Sequence, residues 1–174
     1  MSLSISRMGR HVTCKSETDV TLYHRKSIPK DIGIVADHMR EEDVAECKAQ
    51  SGFKPRESLL YCYFHSNPCR TIVSRHGNPI GMYGVVPEGL EWKGRIWMLG
   101  CQSMFDDISD KLAFLRQSKE ELPKLLKQYP LLFNVVDARN TVHIHWLKWM
   151  GFTFINKHSE WGPESRPFYE FVRI

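Results

Sequence analysis

His143 and His145 invite a metal-site reading, but two residues apart on a helix they point to different faces and cannot hold one zinc ion together. The run Glu41, Glu42, Asp43 could be a cluster of bases, yet the first turn of a helix attracts acids through its dipole with no catalytic role. Cys101 closes an apolar strand and would be a nucleophile only as a thiolate, and nothing near it in sequence would lower its pKa. The five cysteines (Cys14, Cys47, Cys62, Cys69, Cys101) have no CxxC spacing, and their odd number fits free thiols made in a reducing compartment. Trp92, Trp97, Trp146, Trp149 and Trp161 are not interleaved with a basic run, so they read as core and rim and not as a platform for stacking bases. These sets yield no catalytic residue and no metal ligand.

The elements that position them form a single domain. A chain of 174 residues with 42% hydrophobic and 25% charged residues buries enough surface to fold without staples. No apolar run approaches the roughly 18 residues of a membrane span. The net charge of +4 comes from bases dispersed among acids, so nucleic acid is not expected as a direct specific ligand. Hydrophobic spacing predicts a strand at 32–36, helices at 40–50 and 55–64, and a hairpin of strands at 71–74 and 80–86. A loop at 87–94 leads to a strand at 95–101. Next comes a long helix to Tyr129, capped by Asp106 or Ser109, with an inner stripe of Leu112, Leu115, Leu122, Leu125 and Leu126 and a kink or break at Pro123. A strand at 131–136, a helix at 140–150 and a strand at 152–155 follow, then a loop at 159–167 and a last strand at 168–172. This order predicts an α+β fold, a mixed, mostly antiparallel sheet with helices on both faces. Residues 1–31, with Arg7, Arg10, His11, Lys15, His24, Arg25, Lys26 and Lys30, read as a polar arm that docks on a partner, and residues 32–174 as the domain.

The most informative stretch is Asn140-Thr141-Val142-His143-Ile144-His145-Trp146-Leu147-Lys148-Trp149-Met150-Gly151-Phe152. Asn140 can cap the helix, Gly151 can end it in the left-handed conformation, and Val142, Trp146, Trp149 and Met150 are spaced to bury one face. With the element order, this motif resembles the GNAT acyltransferases, which carry a similar asparagine before their fourth helix and Gly-Phe after it. The N-T-x-H-I-x-aromatic-L-K-x-x-G version is closer to the internal virion protein A family of T7-like podophages. That resemblance implies a bacteriophage structural or assembly protein, made in the host cytoplasm and located in the virion, that helps build or load the particle; a factor for DNA ejection is a third, separate reading. Its partners would be other virion or core proteins, or copies of itself.

GNAT enzymes hold the pyrophosphate of acyl-CoA on a loop of Arg or Gln, two residues, Gly, one residue, then Gly or Ala, opening a helix N-terminus. Here the loop reads Cys101-Gln102-Ser103-Met104-Phe105-Asp106-Asp107-Ile108. Gln102 matches the first position, but Phe105 and Asp107 replace the small residues, and Asp106 and Asp107 set two negative charges against a polyanion. The tyrosine that protonates the departing thiolate is Leu147, and the small residue four positions before it is His143. Gln102 and Asn140 are thus vestigial cofactor-binding positions, and no cofactor is expected. The competing reading is an active N-acetyltransferase that uses acetyl-CoA through an altered loop.

Overall fold

The computed structural model describes residues 21–174. The chain runs β1 (Tyr23–Lys26), α1 (Pro29–Asp37), α2 (Glu41–Ser51), α3 (Pro55–His65), β2 (Cys69–Val73), β3 (Pro79–Glu88) and β4 (Leu90–Gly100). A 3-10 turn (Gln102–Phe105) leads to α4 (Ile108–Gln128), β5 (Leu131–Asp137), α5 (Thr141–Trp149), β6 (Thr153–Trp161) and β7 (Arg166–Arg173). The strands make one sheet in the order β1-β2-β3-β4-β5-β7-β6, antiparallel except for the pair β4 and β5. Successive residues of a strand face opposite sides of a sheet. Tyr83 of β3 bonds Glu121 of α4, while Gly84 lies against Ser66 at the end of α3. The helices therefore cover both faces, as the element order predicts.

Four expectations are corrected. The run 32–36 is helical, because Pro29 occupies the first turn, the Asp31 carboxylate accepts from the Ile28 N–H (3.0 Å), and Ile32 and Val35 bury one face at helical spacing. The domain also begins earlier than residue 32. Leu22 is fully buried, and β1 pairs with β2 from Tyr23. Arg25 grips Asp31 through two 2.7 Å bonds, and Thr71 donates to the same carboxylate at 2.7 Å. Burial pushes Asp31 up, but these donors outweigh it and hold its carboxyl below the ordinary value. The arm thus loses residues 22–31 to the fold, and its first 20 residues lie outside the described ones. The expected loops at 87–94 and 159–167 shrink to tight turns, since strand pairing runs on through Glu88 and Leu90 and through Trp161 and Arg166. Finally, Asp107 caps α4 and Pro123 does not divide it. Its buried face carries Ala113, Phe114, Ser118, Leu122 and Leu125, with Leu112 turned outward.

Two glycines set the helices that flank the functional region. Gly162, in the β6–β7 turn, is pressed on the end of α2, where an added Cβ would lie 2.1 Å from the Ala49 carbonyl oxygen. Gly151 ends α5 at φ +83°, as the sequence predicts. Replacing Gly151 by valine forces a β-branched residue into that conformation, so we expect a loss of roughly 1–2 kcal/mol or more. Thermal unfolding checks this; an unchanged melting temperature would mean that the helix tolerates another ending.

Candidate functional site

The parallel pair β4 and β5 is short. Lys93, Gly94 and Arg95 pair with Leu131, Leu132 and Phe133, and then the strands part. At the fork the Asn134 side chain donates to the Ile96 carbonyl at 2.7 Å, replacing a backbone rung. Beyond it the strand backbones face an opening, and buried N–H and C=O groups there need partners. The Cys101 N–H is spent on Ile80 of β3 (2.8 Å), so the groups of Gly100 face the opening. The chain meets them itself. Arg40 donates its N–H to the Gly100 carbonyl (3.0 Å), and the Gly100 N–H donates to Asp43 Oδ2 (2.9 Å).

Asn140 closes the other side. Its Oδ1 accepts from the His143 N–H, capping α5, and from Arg40 Nη2, both at 3.3 Å. Its Nδ2 donates to Asp43 Oδ1 (3.2 Å) and Glu46 Oε2 (2.9 Å). Arg40, Asp43, Glu46 and Asn140 are all buried, and the Arg40 guanidinium stands 3.8 Å from Asp43 and over the Phe105 ring. The result is a polar clasp joining α2, the end of β4 and the start of α5. Burial, opposed only in part by the Asn140 bond, pushes the Glu46 carboxyl up to about 8, so it is mostly neutral at pH 7. Asp43 is raised by burial as well, against the pull of Arg40 and the Gly100 N–H. Burial and then the Arg40 charge push His143 down to about 4, leaving a neutral imidazole.

Glu46 and His143 border a cavity of about 460 Å³ that passes through the opening, from Cys47 and Tyr61 on the α2–α3 side to Phe114 and Leu122 on the α4 side. Its wall is mainly apolar. The thiols nearby are poor nucleophiles, since burial pushes Cys47, Cys62 and Cys101 each up to about 12. The Glu46 carboxyl and the His143 imidazole, both with displaced pKa values, could move a proton at this end of the cavity.

The two sequence-predicted positions part company. Asn140 is at the centre of the clasp, whereas Gln102 is exposed in the 3-10 turn, tied to the His38 carbonyl through its N–H (3.0 Å). Among the described residues no hydrogen bond joins them. The N-terminus of α4 is occupied from within: Asp107 Oδ1 accepts from the N–H groups of Ser109 (2.7 Å) and Asp110 (3.2 Å). The Asp110 bond above all holds the Asp107 carboxyl below its ordinary value, so it is an anion at neutral pH. Leu147 is buried, His143 packs inward and His145 is exposed. Val142 and Trp149, expected on the buried face of α5, point outward, and Ile144, Leu147 and Met150 take that place. Sequence reading missed Arg40, Glu46 and Asn134 and took Asp43 for a dipole partner. The available signal was the spacing Arg40, Asp43, Glu46, which puts three charges on one helix face three residues apart.

A seven-stranded sheet opened between its one parallel pair is the architecture of the GNAT acetyltransferases, and this chain has that fold. A GNAT-family acetyltransferase from Bacillus anthracis superposes with a TM-score of 0.63 at 13% identity, over 88% of this chain and 95% of that one. Spermidine N-acetyltransferase from Vibrio cholerae, in complex with CoA and spermine, gives 0.64 at 10% identity over 88% and 95%. A GNAT-family acetyltransferase from Streptococcus pneumoniae gives 0.58 at 12% over 87% and 98%. At such identities the likeness concerns the fold alone. The sequence is similar over residues 85–160 to a phage family described as "Bacteriophage T7, probable scaffold protein Gp13". That stretch includes β4, α4, β5 and α5, the elements that frame the opening. No curated protein matches the chain. Among the described residues no helix is long and apolar enough to cross a membrane.

Proposed function

We propose that this chain is a bacteriophage structural or assembly protein of the internal virion type, built on a GNAT-like domain that no longer catalyses acyl transfer. The phage family similarity over residues 85–160 supports the first half. One observation carries the second: the anion-binding end of α4 is filled by the chain's own Asp107 carboxylate. A phosphate there would have to displace a bonded carboxylate and sit beside its charge. The Asp43 and Arg40 bonds to Gly100 occupy the edge of β4 in the same way. The protein would be made in the host cytoplasm, join the particle with other virion or core proteins and need no cofactor.

Density-gradient purification of particles from the phage that encodes the chain, followed by immunoblotting, tests this reading. The protein is expected to sediment with mature particles or their assembly intermediates, and its loss to reduce particle yield or infectivity. A protein found only in the soluble fraction, with particles unaffected by its deletion, would contradict it. A second reading, an active acetyl-CoA-dependent N-acetyltransferase, draws on Glu46 and His143 at the cavity wall. A carboxyl titrating near 8 could take a proton from an amine.

A further inference from the structure

The α4-side end of the cavity is built differently from the end at Glu46. There β1, β3 and α4 bring together His24, Tyr83 and Glu121, all on the cavity wall. The His24 Nδ1 and the Tyr83 hydroxyl are 2.9 Å apart, and that hydroxyl donates to Glu121 Oε2 at 3.4 Å. Lys124 donates to the other carboxylate oxygen at 2.6 Å. Burial pushes Glu121 up, but Lys124 and the other bases around it outweigh burial and hold the carboxyl below its ordinary value, so it is an anion. Ser118, on the same wall, spends its hydroxyl on the Phe114 carbonyl (2.7 Å).

This network fixes the hydrogens. Tyr83 has one hydroxyl proton, and the Glu121 anion takes it. The Tyr83 oxygen therefore accepts from the His24 Nδ1–H, and the ring, kept neutral by burial above all, has no proton on Nε2. That nitrogen is buried and has no partner among the described residues. An unpaired buried acceptor costs free energy, and this one belongs to a residue that walls a cavity large enough for a small molecule.

The rest of the wall selects the kind of molecule. It is mainly apolar, and two of its residues, Phe53 and Tyr61, are 42% and 43% exposed, so the entrance on the α2–α3 side is aromatic. Its charges are already matched: Arg95 meets Glu88 at 2.5 Å, Glu121 meets Lys124, and Glu46 is mostly neutral at pH 7. An ion entering here would find no free counter-charge to replace its water. We infer that the cavity binds an uncharged, mainly apolar small molecule whose O–H or N–H group donates to His24 Nε2 at the α4 end. An alcohol or amide on an aliphatic or aromatic body fits this description; acyl-CoA, with its phosphates, does not. Binding of this kind rests neither on the virion reading nor on acyl transfer.

The probes are n-octanol, its isomer heptyl methyl ether, which has no donor, and the octanoate and octylammonium ions. Isothermal titration of the full chain near pH 7 is expected to show one-to-one binding of n-octanol, about tenfold tighter than the ether or either ion. In His24→Phe, which keeps a ring against Tyr83, n-octanol should fall to the affinity of the ether, and the ether should be unaffected. Should that variant unfold, the comparison of alcohol and ether on the native chain decides alone. Absence of saturable heat with n-octanol, equal affinity for alcohol and ether, tighter binding of either ion, or an alcohol preference that survives in His24→Phe would overturn the inference. So would displacement of bound n-octanol by acetyl-CoA, since the cavity would then belong to the cofactor.

Discussion

Changing Asn140 to aspartate, a replacement of one NH2 by one oxygen, is expected to cost roughly 3–5 kcal/mol, the range for leaving buried charge uncompensated. The cap survives, because a carboxylate oxygen still accepts from the His143 N–H and still faces Arg40. What disappears is the donor shared by Asp43 and Glu46, and a third carboxyl arrives where two are already buried. For a chain of this size the melting temperature should fall by about 10 °C. Asn140→Ser, which keeps a hydroxyl donor and a cap, should fall less. A melting temperature insensitive to Asn140→Asp would mean that the clasp does not hold α2 to α5.

The second large effect is a stability that falls between pH 6.5 and pH 8. Glu46 titrates in the folded protein at about 8, far above its ordinary value, so the folded state holds a proton that the unfolded chain has released. Its contribution is complete below about pH 4.5 and lost as pH rises through about 8. His143 works in the opposite sense: its folded value of about 4 stabilises the protein above its ordinary 6.5 and is lost as pH falls through 4. His24, lowered chiefly by burial, acts in the same direction as His143. From 4.5 to 6.5 the Glu46 and His143 slopes largely cancel, and above 6.5 the Glu46 slope remains, with Asp43, also raised by burial, acting in the same direction. It amounts to about 2 kcal/mol over that interval, or about 4–8 °C in melting temperature. Glu46→Gln, which can still accept from Asn140, should flatten that limb. A limb of the same slope in the variant would assign it to another group.

The order of elements from Arg40 onward was legible because each carries its own local signals: Pro55 at a helix start, Gly52 and Gly151 at helix ends, a continuous apolar strand leading to Cys101. The run 32–36 was misread because five apolar residues are too few to separate period two from period 3.6, and Pro29 decided the matter from outside the run. The clasp was largely hidden. Asn140 announced its cap, but its bonds to Asp43 and Glu46 span 97 and 94 residues of sequence, a separation over which no periodicity speaks. Asp107 was legible as a misfit to a phosphate loop, whereas its service as the cap of α4 needed the backbone geometry. Leu112, Val142 and Trp149 defeated the pattern because spacing identifies an apolar face without saying whether the domain or a partner covers it.

The account turns on the claim that the GNAT-like opening no longer receives acyl-CoA. Isothermal titration of the full chain with acetyl-CoA, in buffer near pH 7 and moderate salt, addresses this directly. With Asp107 bonded at the N-terminus of α4, and with Asp43 and Arg40 bonded to Gly100, no saturable heat is expected up to millimolar ligand. A one-to-one isotherm with a micromolar dissociation constant would contradict the account and restore the acetyltransferase reading.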